Sequence, residues 1–535
     1  MKRCWRAAAW WTALGVLWGA AGPALAEPPE RAGSGDVAEA GEGSGGPRAE
    51  KRRLQAEWFE RFEKGDLAGA EAKLRRLVEI DRKNFVPWYN LACVLAEQGR
   101  IDDAMSALEE SITWGFADLR RLQTDRHLAP LRRTMRYRAI VEGWEALLDA
   151  QASARIDALM EALAEGNGGR GRYIVQRDET LRLAYVSAFD ESALGRTRAE
   201  VDKYASWWEA EVVALAPPPD TAGTPAAQDP WVIMLLPTPR DYARWALSKF
   251  GPGWRQVGGS YSDDEKVLVT QDLGGTLRHE FWHALHWRDQ RRRGQLHPIW
   301  IMEGLCSLVE DVEEGPGGRM RALPSWRTNM AKRRERSGSL MPWEVLFDRN
   351  HKRFVTSSPL AHYAEARTIF LYIAEQGKLA EWYAAYVEGF DEDPTGAAAM
   401  TAVFGKPLKD VEKDYRAWLR ALPEVLEEIP RGGATLPFEV QLAAGGGGQG
   451  GDGVTIVSPP PVPPRPQRVR GQPRPPAPPR LRIRDVVTAI DGQPVRDMGE
   501  LVRVLSKYSV GDEVEVEYRR GTETGTARVT LVAKK

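Results

Sequence analysis

The chain has 535 residues, of which 28% are charged and 43% apolar, and its acidic and basic side chains nearly cancel to a formal net charge of −1. That length exceeds what one hydrophobic core can serve and points to roughly three or four folded units. The charge balance excludes a general attraction to nucleic acid or anionic lipid, and no apolar run beyond the N-terminus reaches the ~18 residues that a membrane span needs.

Residues 1–26 carry the parts of an export signal: Lys2, Arg3 and Arg6, an Ala/Trp/Leu-rich stretch, then Ala24-Leu25-Ala26 as small residues for cleavage. The expected product starts at Glu27, is periplasmic or extracellular, and has no membrane span once the signal is removed; the alternative is a retained anchor. Cleavage would leave Cys93 and Cys306, each in an apolar helical pattern, which predicts two buried thiols and no disulfide framework. Residues 27–50 are rich in Gly, Ser, Glu and Ala without apolar periodicity and read as a flexible linker.

Helical spacing dominates residues 51–148. A 34-residue offset aligns Gly65 with Gly99, Leu67 with Ile101, Ala70 with Ala104 and Leu74 with Leu108, supplying the small residues at turns and crossings that stacked helix pairs need. The segment WYNLACVLAEQGRIDDAMSALEESI (residues 88–112) resembles a tetratricopeptide repeat. The stretch containing Asp125, Leu128, Leu131 and Tyr137 reads as a degenerate closing repeat. Such an array serves either as a peptide-binding groove or as a cap on the next domain.

Residues 150–425 turn to a mixed α+β pattern. Residues 173–186 suggest two short strands, 198–215 a helix, 231–236 a buried strand, 242–250 a helix and 266–271 another strand. Gly274-Gly275 breaks the last strand, and Thr276 is the expected N-cap of the next helix.

That helix contains HEFWH, residues 279–283. Histidines four apart share one helix face, so the rings of His279 and His283 can converge on one tetrahedral zinc ion. Glu280 lies beside them, placed to take the proton of a water attacking a carbonyl carbon. Four of the seven histidines fall between 279 and 297, which argues against a chance match. His286 is about 10 Å of helix rise from His279, too far to share the ion, and is expected in packing or behind the ligands. A third ligand is required, and Glu303 is the candidate, in a second helix that starts at Pro298 and returns after the basic loop at 291–294. Histidines 127, 297 and 351 lack partners at metal spacing and are expected in surface or loop roles.

Trp300-Ile301-Met302-Glu303-Gly304-Leu305, about twenty residues after HEFWH, gives a W-x-x-E-G motif. With it the stretch from about 170 to 422 resembles gluzincin-type zinc metallopeptidases, most closely the peptidase-MA-like proteins of bacterial envelopes. The resemblance implies a zincin-like fold with one catalytic Zn2+, ligands His279, His283 and Glu303, and Glu280 as general base. It departs at Cys306 and Ser307, where the family pattern has Ala and an acidic residue, so the groups orienting the ligands stay open. The resemblance also implies that the strand before the metal helix lines the cleft, where residues 258–271 can pair with an extended substrate. Tyr363 is the candidate oxyanion donor, with His362 and Arg367 as lesser options.

After Pro423 come a Gly-rich stretch (445–453) and a Pro/Arg-rich one (459–480), which favours an extended conformation. Residues 481–521 then read as strand, Asp-Gly turn, helix and strand. This resembles the second half of a PDZ domain whose first half would be residues 436–458, giving a unit at 433–535 with an insertion at 445–480. No carboxylate-binding loop motif is recognisable.

The expected protein is therefore multidomain: α-helical repeats, an α+β zincin-like metallopeptidase domain and a β-rich PDZ-like domain. It would be an exported zinc peptidase acting on peptides or proteins, with the flanking modules docking substrates or partners. The alternative is an inactive adaptor on the same fold.

Overall fold

In the computed structural model, the residues described are 47–167, 173–188, 191–218, 229–236, 242, 244–246, 259–262, 265–270, 274–442, 453–461, 480–496, 498–520 and 523–535. The expected signal segment, most of the linker, the Gly-rich stretch, the bulk of the Pro/Arg-rich insertion and most of the helix expected at 242–250 lie outside them. Among the described residues no helix is long and apolar enough to cross a membrane.

The N-terminal region pairs α1 (Pro47–Glu63) with α2 (Leu67–Ile80) and α3 (Phe85–Glu97) with α4 (Ile101–Thr113); helix thus begins within the segment expected as linker. Gly65 and Gly99, aligned by the 34-residue offset, both turn the chain at positive φ (77° and 76°), a conformation that favours glycine. The aligned Ala70, Leu74, Ala104 and Leu108 are all fully buried. The closing repeat is irregular: a six-residue helix (Leu119–Thr124), a 3₁₀ segment (Arg126–Arg133) containing Pro130, and a short helix (Met135–Glu142). Asp125 joins it to the regular repeats by capping the 3₁₀ segment and accepting the Tyr89 hydroxyl at 2.8 Å. Cys93 and Cys306 are both free and buried, as expected.

A long helix, α5 (Trp144–Asn167), leads into a five-stranded sheet of β1 (Ile174–Asp178), β2 (Leu183–Ser187), β3 (Trp231–Leu235), β4 (Gly259–Ser262) and β5 (Val267–Thr270). The order is β1-β2-β3-β5-β4, parallel from β2 through β5 and antiparallel at both edges. Alternate side chains serve two cores. Tyr185, Trp231, Ile233 and Leu268 face the main core, which includes α6 (Glu191–Glu211) and α7 (Gly275–Arg293), whereas Val186, Val232, Met234 and Val269 pack with Ile156 of α5. The helix expected at 198–215 thus starts earlier and stops at Glu211.

α7 carries HEFWH and is capped by Gly274, not by Thr276, which lies in its first turn. Thr276 instead packs under β4, where its Cγ2 would stand 2.5 Å from a Cβ at Gly259. α8 (Ile299–Leu308) returns from Pro298 and crosses α11 (Pro359–Glu375), with α9 (Trp326–Arg336) and the short α10 (His351–Thr356) nearby. Gly304 permits the crossing, since a Cβ there would sit 2.5 Å from Phe370 Cδ2 and 3.0 Å from the Ala366 carbonyl.

The C-terminal sheet runs β10 (Glu523–Thr530), β9 (Glu513–Arg520), β8 (Val486–Ile490), β7 (Val454–Ile456), β6 (Val440–Leu442), all antiparallel, with α12 (Met498–Leu505) against its core. Both flanking regions touch α7. Asp118 of the closing repeat pairs with Arg291 at 2.9 Å near the helix C-terminus, where Gly294 has no Cβ to collide with Arg120. Glu500 of α12 meets Arg278 at 3.5 Å near the N-terminus.

Replacing Gly304 with Ala should force α8 and α11 apart and lower stability by roughly 1–3 kcal/mol, the usual cost of overpacking. Urea unfolding checks this, and an unchanged midpoint would show that the crossing can spread.

Candidate metal centre

α7 is polar yet buried almost all round, so its charged side chains need partners inside the protein. Arg288 donates to the carbonyls of Asp229 and Arg182 at 2.7 and 3.2 Å. Asp289 accepts from Arg293 and from the Tyr383 hydroxyl. Gln290 accepts the His297 backbone N–H. These contacts fix the helix that presents His279, Glu280 and His283 to the cleft.

The structure brings His279, His283 and Glu303 together, with one ligand-type atom of each within 4.8 Å of the others. The two Nε2 atoms are 3.1 Å apart, and Glu303 Oε2 is 3.3 Å from that of His279 and 3.4 Å from that of His283. Ligands about 2.0–2.1 Å from a tetrahedral zinc stand about 3.4 Å from one another. The three separations fit that figure, and Glu303 Oε2 is buried with no hydrogen-bond partner, so these residues could hold the ion.

Electrostatics agree with a site built for a cation. Burial opposes charge on His279, but Glu303 and Glu310 outweigh it and lift the imidazole to about 10. Burial keeps His283 below its ordinary value against the pull of Glu303. Burial would also raise Glu303, yet the two histidines hold its carboxyl well below the usual range.

Glu280 is buried and points toward the edge strand β4, where a Cβ at Gly259 would come within 3.0 Å of its Oε1. Glycine at 259 therefore makes room for that carboxylate. Tyr261, also on β4, stacks on His283 at 4.3 Å and 12°. Tyr363 joins the same cluster: its ring lies 6.5 Å from that of His279, and burial followed by the nearby Glu303 and Glu280 carboxylates pushes its phenol well above the ordinary value.

Among the other histidines, His286 packs in the interior as expected, and His297 is buried with it. His286 is 2.7 Å from His297, and both are buried against Tyr383. His297 is thus an interior residue, not a surface one, because the loop after α7 folds back under it. His351 is partly buried, and burial holds its imidazole below the ordinary value against the pull of Glu303. His127 pairs with Glu97 in the helical repeats. His362 contacts the Phe354 carbonyl, and Arg367 donates to the carbonyls of Ser307 and Leu323, so both are occupied in the scaffold.

Sequence reasoning missed Glu310. Its Oε1 lies 3.1 Å from His279 Nδ1, off the line of a good hydrogen bond, while Arg327 grips both its oxygens at 2.6 and 2.8 Å. Burial would raise Glu310, but Arg327 and His279 hold it down to about 2. Ser307 stands where an acidic residue was expected, and its hydroxyl is buried with no partner. The carboxylate behind His279 comes from the turn after α8 instead of from the helix, so its spacing from Glu303 is not that of the motif.

The tetratricopeptide repeat family matches residues 61–124, and the PDZ domain family matches residues 453–531. The flanks are a repeat unit and a PDZ domain. Both are protein-interaction modules. The chain is 38% identical over 50 residues to Protease Do-like 8, chloroplastic, of Arabidopsis thaliana, a match covering 9% of this chain and 11% of that protein. It is also similar to a solved aminopeptidase N family protein from Idiomarina loihiensis, with 12% identity, 68% of this chain and 67% of that one covered, and a TM-score of 0.25. A likeness that loose bears on neither fold nor chemistry. The repeat unit and the PDZ domain both reach α7, through Asp118 and Glu500 respectively.

The raised His279 value fixes the sign of a pH effect in metal-free protein. Pairing with Glu303 and Glu310 contributes stability that is complete below the unfolded-state value of about 6.5 and lost as pH rises through about 10. Thermal melts in chelator should show this loss in wild type and a smaller one in Glu303→Gln. Equal losses would mean that Glu303 does not hold the His279 proton.

Proposed function

We propose that the chain is an exported zinc peptidase that hydrolyses peptide bonds in peptide or protein substrates. His279, His283 and Glu303 are the ligands, and the observation that supports them best is the set of three separations suited to a tetrahedral ion. Zinc bound there would polarise the scissile carbonyl and acidify the attacking water. Glu280 takes the proton of that water and passes it to the leaving amine.

Residues on β4 and α11 supply the rest. Among the described residues β4 is an edge strand bonded to β5, and its other side would accept an extended substrate as an added strand, laying a peptide bond beside Glu280. Tyr261 holds His283 by stacking. The Tyr363 hydroxyl donates a hydrogen bond to the oxyanion as the carbonyl becomes tetrahedral. The repeat unit and PDZ domain present substrates or partners to this centre. The unit bounds are those of the sequence reading, with repeats at 51–148, the peptidase domain at 150–425 and the PDZ unit at 433–535. Export to the periplasm or cell exterior rests on the N-terminal segment.

The test compares wild type with three variants for zinc content and for cleavage of a mixed peptide library. Glu280→Gln should keep zinc and lose about 10²–10⁴ in rate. Tyr363→Phe should keep zinc and KM while kcat falls by roughly 10²–10³. Glu303→Ala should lose zinc itself. Full cleavage by Glu280→Gln, or full zinc in Glu303→Ala, would reject the assignment.

A further inference from the structure

Glu310 reaches His279 from the turn that follows α8, and the PDZ domain helps to anchor that turn. The Arg278 guanidinium, 2% exposed, donates Nε to the Val309 carbonyl at 2.9 Å and Nη2 to the Glu310 carbonyl. The same Nη2 meets Glu500 Oε1 of α12 at 3.5 Å. One turn further along α12, Arg503 reaches Asp311 Oδ1 at 2.9 Å, and Asp311 also faces Arg367 at 3.6 Å. The PDZ helix thus meets Asp311 directly through Arg503, and one turn earlier it meets, through Glu500, the arginine that holds the carbonyls of Val309 and Glu310.

We propose that Glu500 and Arg503 are positioning residues for the metal centre, acting through Arg278 and Asp311 to hold Glu310 against His279. This rests on the zinc reading above and goes beyond it: the PDZ domain is part of the centre's support as well as a docking module. Glu500 is buried at 6% exposure, and Arg496 binds it at 3.2 Å while reaching Glu200 of α6. A contact serving only to tether two domains needs no buried ion pair, which gains little over apolar packing. Losing Glu500 takes from the buried Arg278 cation the carboxylate it meets at 3.5 Å, and the turn whose carbonyls Arg278 holds is the one that aims Glu310. Glu310 then keeps Arg327 on its side chain, while its carbonyl is held by a guanidinium that has lost its carboxylate partner.

The experiment measures zinc affinity of the full chain by competition with a chromophoric chelator, which needs no substrate. Glu310→Gln should weaken zinc binding by about 10- to 100-fold, the usual effect of removing a group that orients a ligand. Glu500→Ala and Arg503→Ala, one step further out, should each weaken it by roughly three- to ten-fold. Either change combined with Glu310→Gln should weaken binding no more than Glu310→Gln alone, because the effects share one route. Wild-type affinity in the folded single variants, or additive losses in the doubles, would overturn the proposal. If Glu500→Ala fails to fold, Arg503→Ala decides, since Asp311 keeps Arg367. His279→Ala separates the two readings: undiminished zinc there rejects the metal centre itself, whereas its loss beside an unaffected Arg503→Ala rejects only the role of the PDZ helix.

Discussion

A helix bearing as many charges as α7 can be buried only if its polar groups find partners inside the protein. That requirement organises the molecule. Arg278 takes the carbonyls after α8 and a carboxylate of the PDZ domain, Arg288 takes carbonyls before β2 and β3, Asp289 takes a tyrosine of a later helix, and Arg291 takes an aspartate of the repeat unit. Each partner comes from a different part of the chain. The helix is therefore held by groups spread across all three regions, and the side chains it aims at the cleft inherit that rigidity.

The same logic explains the glycines. Gly259 lets β4 lie against Glu280, Gly304 lets α8 approach α11, and Gly294 leaves room for Arg120 at the end of α7. In each case a backbone or long side chain occupies the space of a missing Cβ. The two glycines nearest the centre set, respectively, the gap between the edge strand and Glu280 and the depth at which Glu303 sits.

What the sequence revealed follows from how local the determinants are. His279, Glu280 and His283 are related by helical periodicity alone, so five residues sufficed, and Glu303 was legible because a proline start and a compact motif fix its helix. The repeat was legible because Gly65 and Gly99 recur at a constant offset. Thr276 misled because capping preference is local, while the strand packed over it is not. Glu310 was missed because the expected position behind the ligand was Ser307, and no pattern announces that a turn can supply the carboxylate instead. His297 was legible as a loop residue but not as a buried one, because its burial depends on Tyr383 and Tyr386, both from a later helix. Glu500 lies 222 residues from Arg278, and no spacing rule reaches that far.

The density of buried charge is itself an argument about purpose. Glu280, Glu303, Glu310, His279, His283 and Arg327 occupy one region of the interior, where apolar groups of similar size would usually be as stable or more so. A protein selected only to pack would not place two imidazole nitrogens 3.1 Å apart beside a carboxylate oxygen left without a hydrogen bond. Such an arrangement is costly unless a cation joins the three and a further carboxylate, Glu280, has a proton to move. An adaptor built on the same scaffold could replace the whole set by apolar side chains without loss of stability. Under the proposed reading each member of the set has a task, down to a glycine that clears space for the Glu280 side chain.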